Sequence, residues 1–390
     1  MSRPRPRSLC RTRHRLLPSV LAAVLAIGLL PAAPAVADPA QGVRLIGVRT
    51  LPHGLDFAGT TVGGLSGIDR DPRTGEYVLV SDDRSRHQPA RFYTARIDVT
   101  ADALGPVELT GTSPLTRPDG TPYPPLSVDP EDLRVDPWTG RYYWSQEGER
   151  TAEVLAHPSV REATRTGGYV WDLPIPATNR MTPDAGPRRN LGPEGLTFAA
   201  FGTLVVSALE GPLLQDGPEA TTERGALSRV TVQGRSGPVL AQFAYPMEPL
   251  FAAPVPPDGF ATTGVSAILA AHPADPTRFL VLERSFVTGA GNRVRIFLAD
   301  TAGATNVLGM RALTDDVRPM RKRLLVDLAD LPLDTDNIEG MTWGPRPRSG
   351  ERTLLLVSDD NFAPTQVTQV VALAVAKAAV PRTAGTRRLP

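Results

Sequence analysis

Ten positions carry the chemistry that this sequence is able to do. Ser66, Glu131, Glu194, Ser266 and Glu339 each open a short apolar stretch, and Asp82, Glu147, Glu210, Glu283 and Asp359 each close the next one. The separations within the pairs are 16, 16, 16, 17 and 20 residues. In an antiparallel hairpin the start of one strand lies beside the end of the other, and side chains alternate between faces. A repeated even separation therefore predicts direct cross-strand partners on one side of a sheet. Carboxylates gathered at this density do not all ionise without compensation. An oxygen-liganded divalent cation compensates them, Ca²⁺ being the first choice over Mg²⁺. Interleaved arginines do the same, and Arg84, Arg86, Arg150 and Arg284 follow the acidic positions closely. Guanidinium groups suit a phosphate or carboxylate substrate.

On this reading Glu131, Glu194 and Glu339 are the candidate catalytic groups. Asp82, Glu147, Glu210, Glu283 and Asp359 are the candidate metal ligands. Arg84, Arg86, Arg284 and His87 are the candidate substrate-binding groups, His87 being the histidine nearest to these positions in its segment. The competing reading is that the acids merely accept backbone N–H groups at strand ends. Gly64-Leu65-Ser66-Gly67 lacks the G-x-S-x-G spacing of a nucleophile elbow. His53, His87, His157 and His272 show no zinc-ligand spacing. Trp138, Trp144, Trp171 and Trp343 are expected in the core.

The elements that must position these residues recur along the chain. Segments 63–85, 129–150, 192–212, 263–286 and 336–362 share one layout: an inner strand, a tight turn and a second apolar strand. Asp71-Pro72-Arg73-Thr74-Gly75, Asp136-Pro137-Trp138-Thr139-Gly140 and Asp275-Pro276-Thr277 read as the turns. Asp accepts from its own backbone, Pro presets φ and Gly takes a left-handed position. Third strands are expected at 91–99, 227–232, 293–299 and 368–374, and fourth strands at 106–115, 168–173, 239–244 and 323–328. Residues 151–165 read as a loop or short helix. Such a series is an all-β fold, a β-propeller of five blades. Six blades are the alternative, if a Pro-rich loop at 113–130, 174–193, 212–224 or 246–262 hides another sheet. The last unit runs out of chain after three strands, and an isolated N-terminal strand at 43–51 would close the ring. Forty prolines oppose a helical fold.

Residues 1–37 read as a secretory signal: six arginines, an apolar run over 16–30 and a small-x-small site at Ala35-Val36-Ala37. The one cysteine, Cys10, falls inside it, so the exported chain would have no disulfide and would rely on a large apolar core. Without the leader, 36 basic residues stand against 41 acidic ones, with no basic tract for nucleic acid. The expected organisation is a single domain over 38–380 and a disordered tail over 381–390, exported as a monomer without stable membrane insertion.

Asn337-Ile338-Glu339-Gly340-Met341, Val357-Ser358-Asp359-Asp360-Asn361-Phe362, Leu282-Glu283-Arg284-Ser285-Phe286 with Gly291-Asn292-Arg293, and Gly192-Pro193-Glu194-Gly195 resemble the esterase-like phytase family of exported bacterial proteins. The likeness runs from about residue 43 to 374. It implies a β-propeller and a hydrolase of phosphate or carboxylic esters. The expected activity is hydrolysis of a small anionic ester at the acidic mouth of the propeller. The alternative is a non-catalytic extracytoplasmic propeller that binds a ligand or protein on the same face.

Overall fold

The computed structural model describes residues 42–381, so the leader expected at 1–37 and nearly all of the expected tail lie outside the described residues. Among the described residues, five four-stranded antiparallel sheets contain twenty strands, with two short ribbons besides. Leu65–Arg70, Pro130–Val135, Pro193–Ala199, Ala261–Ala270 and Asn337–Trp343 are the inner strands of the five blades. Each packs against the inner strands of the blades before and after it, and the fifth returns to the first. The chain is a five-bladed β-propeller. The six-bladed alternative falls, because the Pro-rich loops hold no further four-stranded sheet.

The fifth blade draws three strands from its own part of the chain, Asn337–Trp343, Arg352–Asp359 and Gln369–Val375. Val43–Thr50 adds the fourth, with Val43 opposite Val375 and Thr50 opposite Gln369. Both ends of the chain thus share one sheet, and the raw edge of the last strand is covered. One expectation is corrected. Residues 151–165 contain a strand, Ser159–Ala163, which is the third strand of the second blade. Its sequence, SVREA, carries a charge pair that masks the strand pattern; Glu162 is buried and accepts from Arg141 and from the Trp171 indole.

Among the described residues the core is a wedge in each of the five gaps between blades, with one small further cluster around Ala244, Val307 and Val317. In the fifth blade, Leu354 and Leu356 pack toward the fourth blade, and Leu355 and Val357 pack toward the first. In the first blade, Leu79 packs toward the fifth, and Val78 and Val80 toward the second. Both faces of each blade are covered, so its central strands read as unbroken apolar runs.

At the far end of the hairpins the turns form as their composition predicts. Asp71, Asp136 and Asp275 accept the N–H groups of Arg73, Trp138 and Thr277 at 2.9, 2.9 and 3.0 Å. Trp144 is buried in the core, but Trp138 is 56% exposed at its turn tip, against expectation. Its ring lies under Arg235, 4.2 Å from the guanidinium carbon, and its Nε1 donates to the Phe201 carbonyl. The turn holds it outward, and the cation covers its face.

Beneath the mouth, three residues past Glu131, a buried arginine ties the ring together. Arg134 donates to the carbonyls of Ile68 and Met341 at 3.2 and 2.9 Å and pairs with Asp132 at 2.7 Å. Asp132 also accepts the Leu196 N–H at 2.9 Å. One ion pair of the second blade therefore holds the first, third and fifth.

Candidate functional site

Every inner strand is interrupted at the same place. Pairing with the second strand slips between Leu65 and Gly67, Pro130 and Leu133, Pro193 and Gly195, Val265 and Ala267, and Ile338 and Gly340. Ser66, Glu131, Glu194, Ser266 and Glu339 are the bulged residues. This corrects the expectation of direct cross-strand partners: these side chains have no opposite number. A bulge re-aims the residue it releases, and here it turns the three glutamates into the mouth. Gly67, Gly195 and Gly340 follow the bulge because the inner strands converge there. An added Cβ would lie 2.9 Å from the Asp132 Cα, 2.6 Å from the Ile268 nitrogen and 2.9 Å from the Ser66 carbonyl oxygen, respectively.

Just before each bulge the register resumes. The N–H groups of Asp82, Glu147 and Glu210 reach the carbonyls of Gly64, Asp129 and Gly192 at 2.8, 3.1 and 2.6 Å, and Asp359 faces Asn337. In the fourth blade the residue at this place is Arg284, opposite Gly264. Glu283 points the other way, toward the outer strands. It accepts from Tyr245 at 2.6 Å and from Lys322 at 2.5 Å, and takes no part in the mouth. It is no candidate metal ligand.

The mouth is a cavity of about 860 Å³. Asp82, Asp129, Glu131, Glu194, Glu210, Glu339 and Asp359 line it, with Glu147 clustered behind Glu131 and Glu194. All but Asp82 are buried, and Asp82 Oδ1 is itself buried without a hydrogen-bond partner. Arg84 contacts Asp129 at 3.3 Å and Glu149 at 2.5 Å. Arg284 lies between Glu210 and Glu339 at 3.2 and 3.3 Å. Asn337 donates to Glu339 at 2.9 Å. Among these eight carboxylates the ion pairs come from two guanidinium groups, Arg84 and Arg284, while Arg188, Arg189, Glu219 and Asp336 also line the cavity.

The electrostatic consequence is large. Burial first, and then the neighbouring carboxylates, push Asp82, Glu131, Glu147, Glu194 and Asp359 well above the usual carboxylate range. Burial pushes Asp129 and Glu210 up to about 7, with Arg84 and Arg284 opposing it. Ligand oxygens of Asp129, Glu131 and Glu147 lie within 4.8 Å of one another, and so do those of Glu147, Glu194 and Glu210. Both trios suit a hard divalent cation by donor chemistry, and the buried Asp82 oxygen beside them has no hydrogen-bond partner in the protein.

A family model for phytase-like proteins, described as esterase-like activity of phytase, matches residues 60–362. The chain belongs to this phytase-like family. Its match takes in four whole blades, the two inner strands of the fifth and every residue of the acidic ring. No curated protein matches the chain in sequence. Among solved structures it is similar to an N-acetylgalactosamine deacetylase from F. plautii, at 12% identity and TM-score 0.44, covering 84% of this chain and 94% of that one. It is similar also to an endo-arabinase from Bacteroides thetaiotaomicron VPI-5482, at 13% identity and TM-score 0.43, covering 80% and 94%.

Within this phytase-like ring the sequence-derived assignments divide. Glu131, Glu194, Glu339, Asp82, Glu147, Glu210, Asp359, Arg84 and Arg284 come together at the mouth. Arg86 and His87 are exposed outside it; the His87 ring rests 4.6 Å from that of Phe362. Arg150 is spent on the carbonyls of Thr182, Ala185 and Pro187. Ser66 donates to the Glu131 carbonyl at 2.7 Å, so it shapes the bulge. Asp129 and Asn337 are the residues that sequence reasoning passed over. They occupy the same register two places before the bulge, and that repeat was the available signal.

Proposed function

We propose that the mouth hydrolyses a small phosphate ester with a divalent cation, Ca²⁺ first, held by the two carboxylate trios. The observation that supports it is a cluster of eight carboxylates whose ion pairs come from two arginines, Arg84 and Arg284. When bound, the cation supplies Lewis acidity toward a phosphoryl oxygen. Glu131 and Glu194 stand in both the bulge ring and the trios; they would be held deprotonated by a bound cation, and one of them would then take the proton of the attacking water. The water oxygen bonds to phosphorus, the bond from phosphorus to the alcohol oxygen breaks, and the alcohol oxygen takes a proton from solvent, to which the glutamate returns the one it took. Arg84 and Arg284 steady the anion and limit repulsion between it and the carboxylates. The protein acts as an exported monomer after loss of residues 1–37. Among the described residues no helix is long and apolar enough to cross a membrane.

A panel of phosphomonoesters, phytate, p-nitrophenyl carboxylic esters and lactones, each with calcium and with EDTA, tests the reading. It expects turnover of phosphomonoesters that EDTA abolishes and calcium restores. Turnover of carboxylic esters alone, indifferent to EDTA, overturns it. No turnover of any class favours a ligand-binding propeller.

A further inference from the structure

The acidic ring is broken in one sector, and what replaces it bears on the substrate. The fourth blade places Ser266 in the bulge and Arg284 at the strand end, so it adds no carboxylate to the mouth. Its inner strand is also longer at this end. Ala261–Ala270 begins five residues before its bulge, whereas the other inner strands begin one or two before. The extra length stands as a wall: Thr262 pairs with Phe286, and Phe286 pairs with Asn292 on the next strand. All three line the cavity, as two-residue alternation from Arg284 to Phe286 requires. Phe260 leans on Phe286, ring centroids 6.1 Å apart and planes at 31°, while remaining 67% exposed. Asn292 Oδ1 is buried without a partner, so the wall also holds an unused polar group.

We propose that this wall is the leaving-group subsite and that the enzyme takes phosphate esters of flat, apolar alcohols in preference to polyol phosphates. The inference rests on the phosphoesterase reading above. The phosphoryl group seats against the trios of the second and third blades, and the alcohol's apolar face lies on Phe260 and Phe286. An exposed Phe260 beside a half-buried Phe286 gains from covering by a planar group. A polyol bearing many phosphates meets mostly carboxylates on the rest of the ring, with Arg84, Arg188 and Arg189 among them, and has no apolar face to lay on this wall.

Two measurements decide it. The first is the ratio of kcat/KM for 2-naphthyl phosphate over glycerol phosphate, with calcium present, in wild type, Phe260→Ala, Phe286→Ala and Phe260→Trp. The ratio is expected to favour the naphthyl ester, to fall about tenfold in each alanine variant, the scale of a lost apolar pocket contact, and to survive in Phe260→Trp. A ratio that favours glycerol phosphate, or one that the alanine variants leave unmoved, overturns the subsite. The second is calorimetric binding of naphthylmethylphosphonate, which is not hydrolysed. Binding that Phe260→Ala weakens about tenfold upholds the wall even if no ester is turned over, and then only the hydrolytic reading fails. Absent binding, or equal binding by wild type and Phe260→Ala, rejects the wall even if glycerol phosphate is hydrolysed.

Discussion

Arg284 stands where four other blades place an acid, between Glu210 and Glu339. Burial lowers its affinity for the proton, but Glu339, Glu210 and Glu194 together raise it, so it stays charged. Arg284→Met keeps much of the volume and removes the charge. It should cost about 3–5 kcal/mol, because two buried carboxylates lose their partner. Urea denaturation at neutral pH measures this, and the loss should shrink at acidic pH, where those carboxyls are protonated. An equal loss at both pH values would mean that packing and not charge is at stake. The sequence carried the clue to this residue. A separation of 16 or 20 keeps a pair on one face, and Ser266 to Glu283, at 17, does not. Parity selects Arg284, eighteen residues on. The bulges, by contrast, were illegible, since nothing in a single strand's pattern says where its partner skips.

At the scale of elements, turns and strand order were readable because local chemistry decides them. Asp-Pro-x-Thr-Gly makes its turn whatever surrounds it, and an unbroken apolar run such as Leu354–Val357 demands cover on two faces. Ser159–Ala163 was not readable, because its register with Tyr142–Gln146 and not its composition makes it a strand. Closure by Val43–Thr50 rests on pairing with Gln369–Val375 and on the packing of Val43, Leu45, Ile46 and Val48, and deletion tests it. A chain lacking residues 38–52 leaves Gln369–Val375 with a raw edge. It should be insoluble or melt far below the untruncated protein. Equal melting temperatures would mean that the ring closes without this strand.

At the scale of the whole molecule, the blades are held at the axis by Arg134 and Asp132 and strained at the mouth by like charge. Arg134→Leu leaves Asp132 buried and unpaired and should destabilise by about 3–5 kcal/mol. Adding Asp132→Asn should restore part of that, which a double-mutant cycle reads directly. Simple additivity of the two losses would contradict the pairing. The mouth sets the pH dependence. Its carboxyls have folded pKa values above the about 4 of an unfolded chain, with Asp129 and Glu210 at about 7. Between those limits the native state binds more protons than the unfolded one, so stability falls as pH rises through this window. In EDTA, unfolding free energy should therefore be greater at pH 5 than at pH 8. Bound cation reverses the trend, because its ligands must be deprotonated.

The central claim is that the acidic mouth is a divalent cation site, and Glu147 belongs to both carboxylate trios. The direct test is the melting temperature at pH 8 with calcium and with EDTA, for wild type and Glu147→Gln. A ligand bound only by the native state adds about 2.7 kcal/mol when free ligand is about 100 times its Kd. Calcium should raise the wild-type melting temperature by several degrees over EDTA, and Glu147→Gln, which keeps the shape and removes the charge, should lose most of that rise. A wild type that melts at one temperature with calcium and with EDTA would contradict the account.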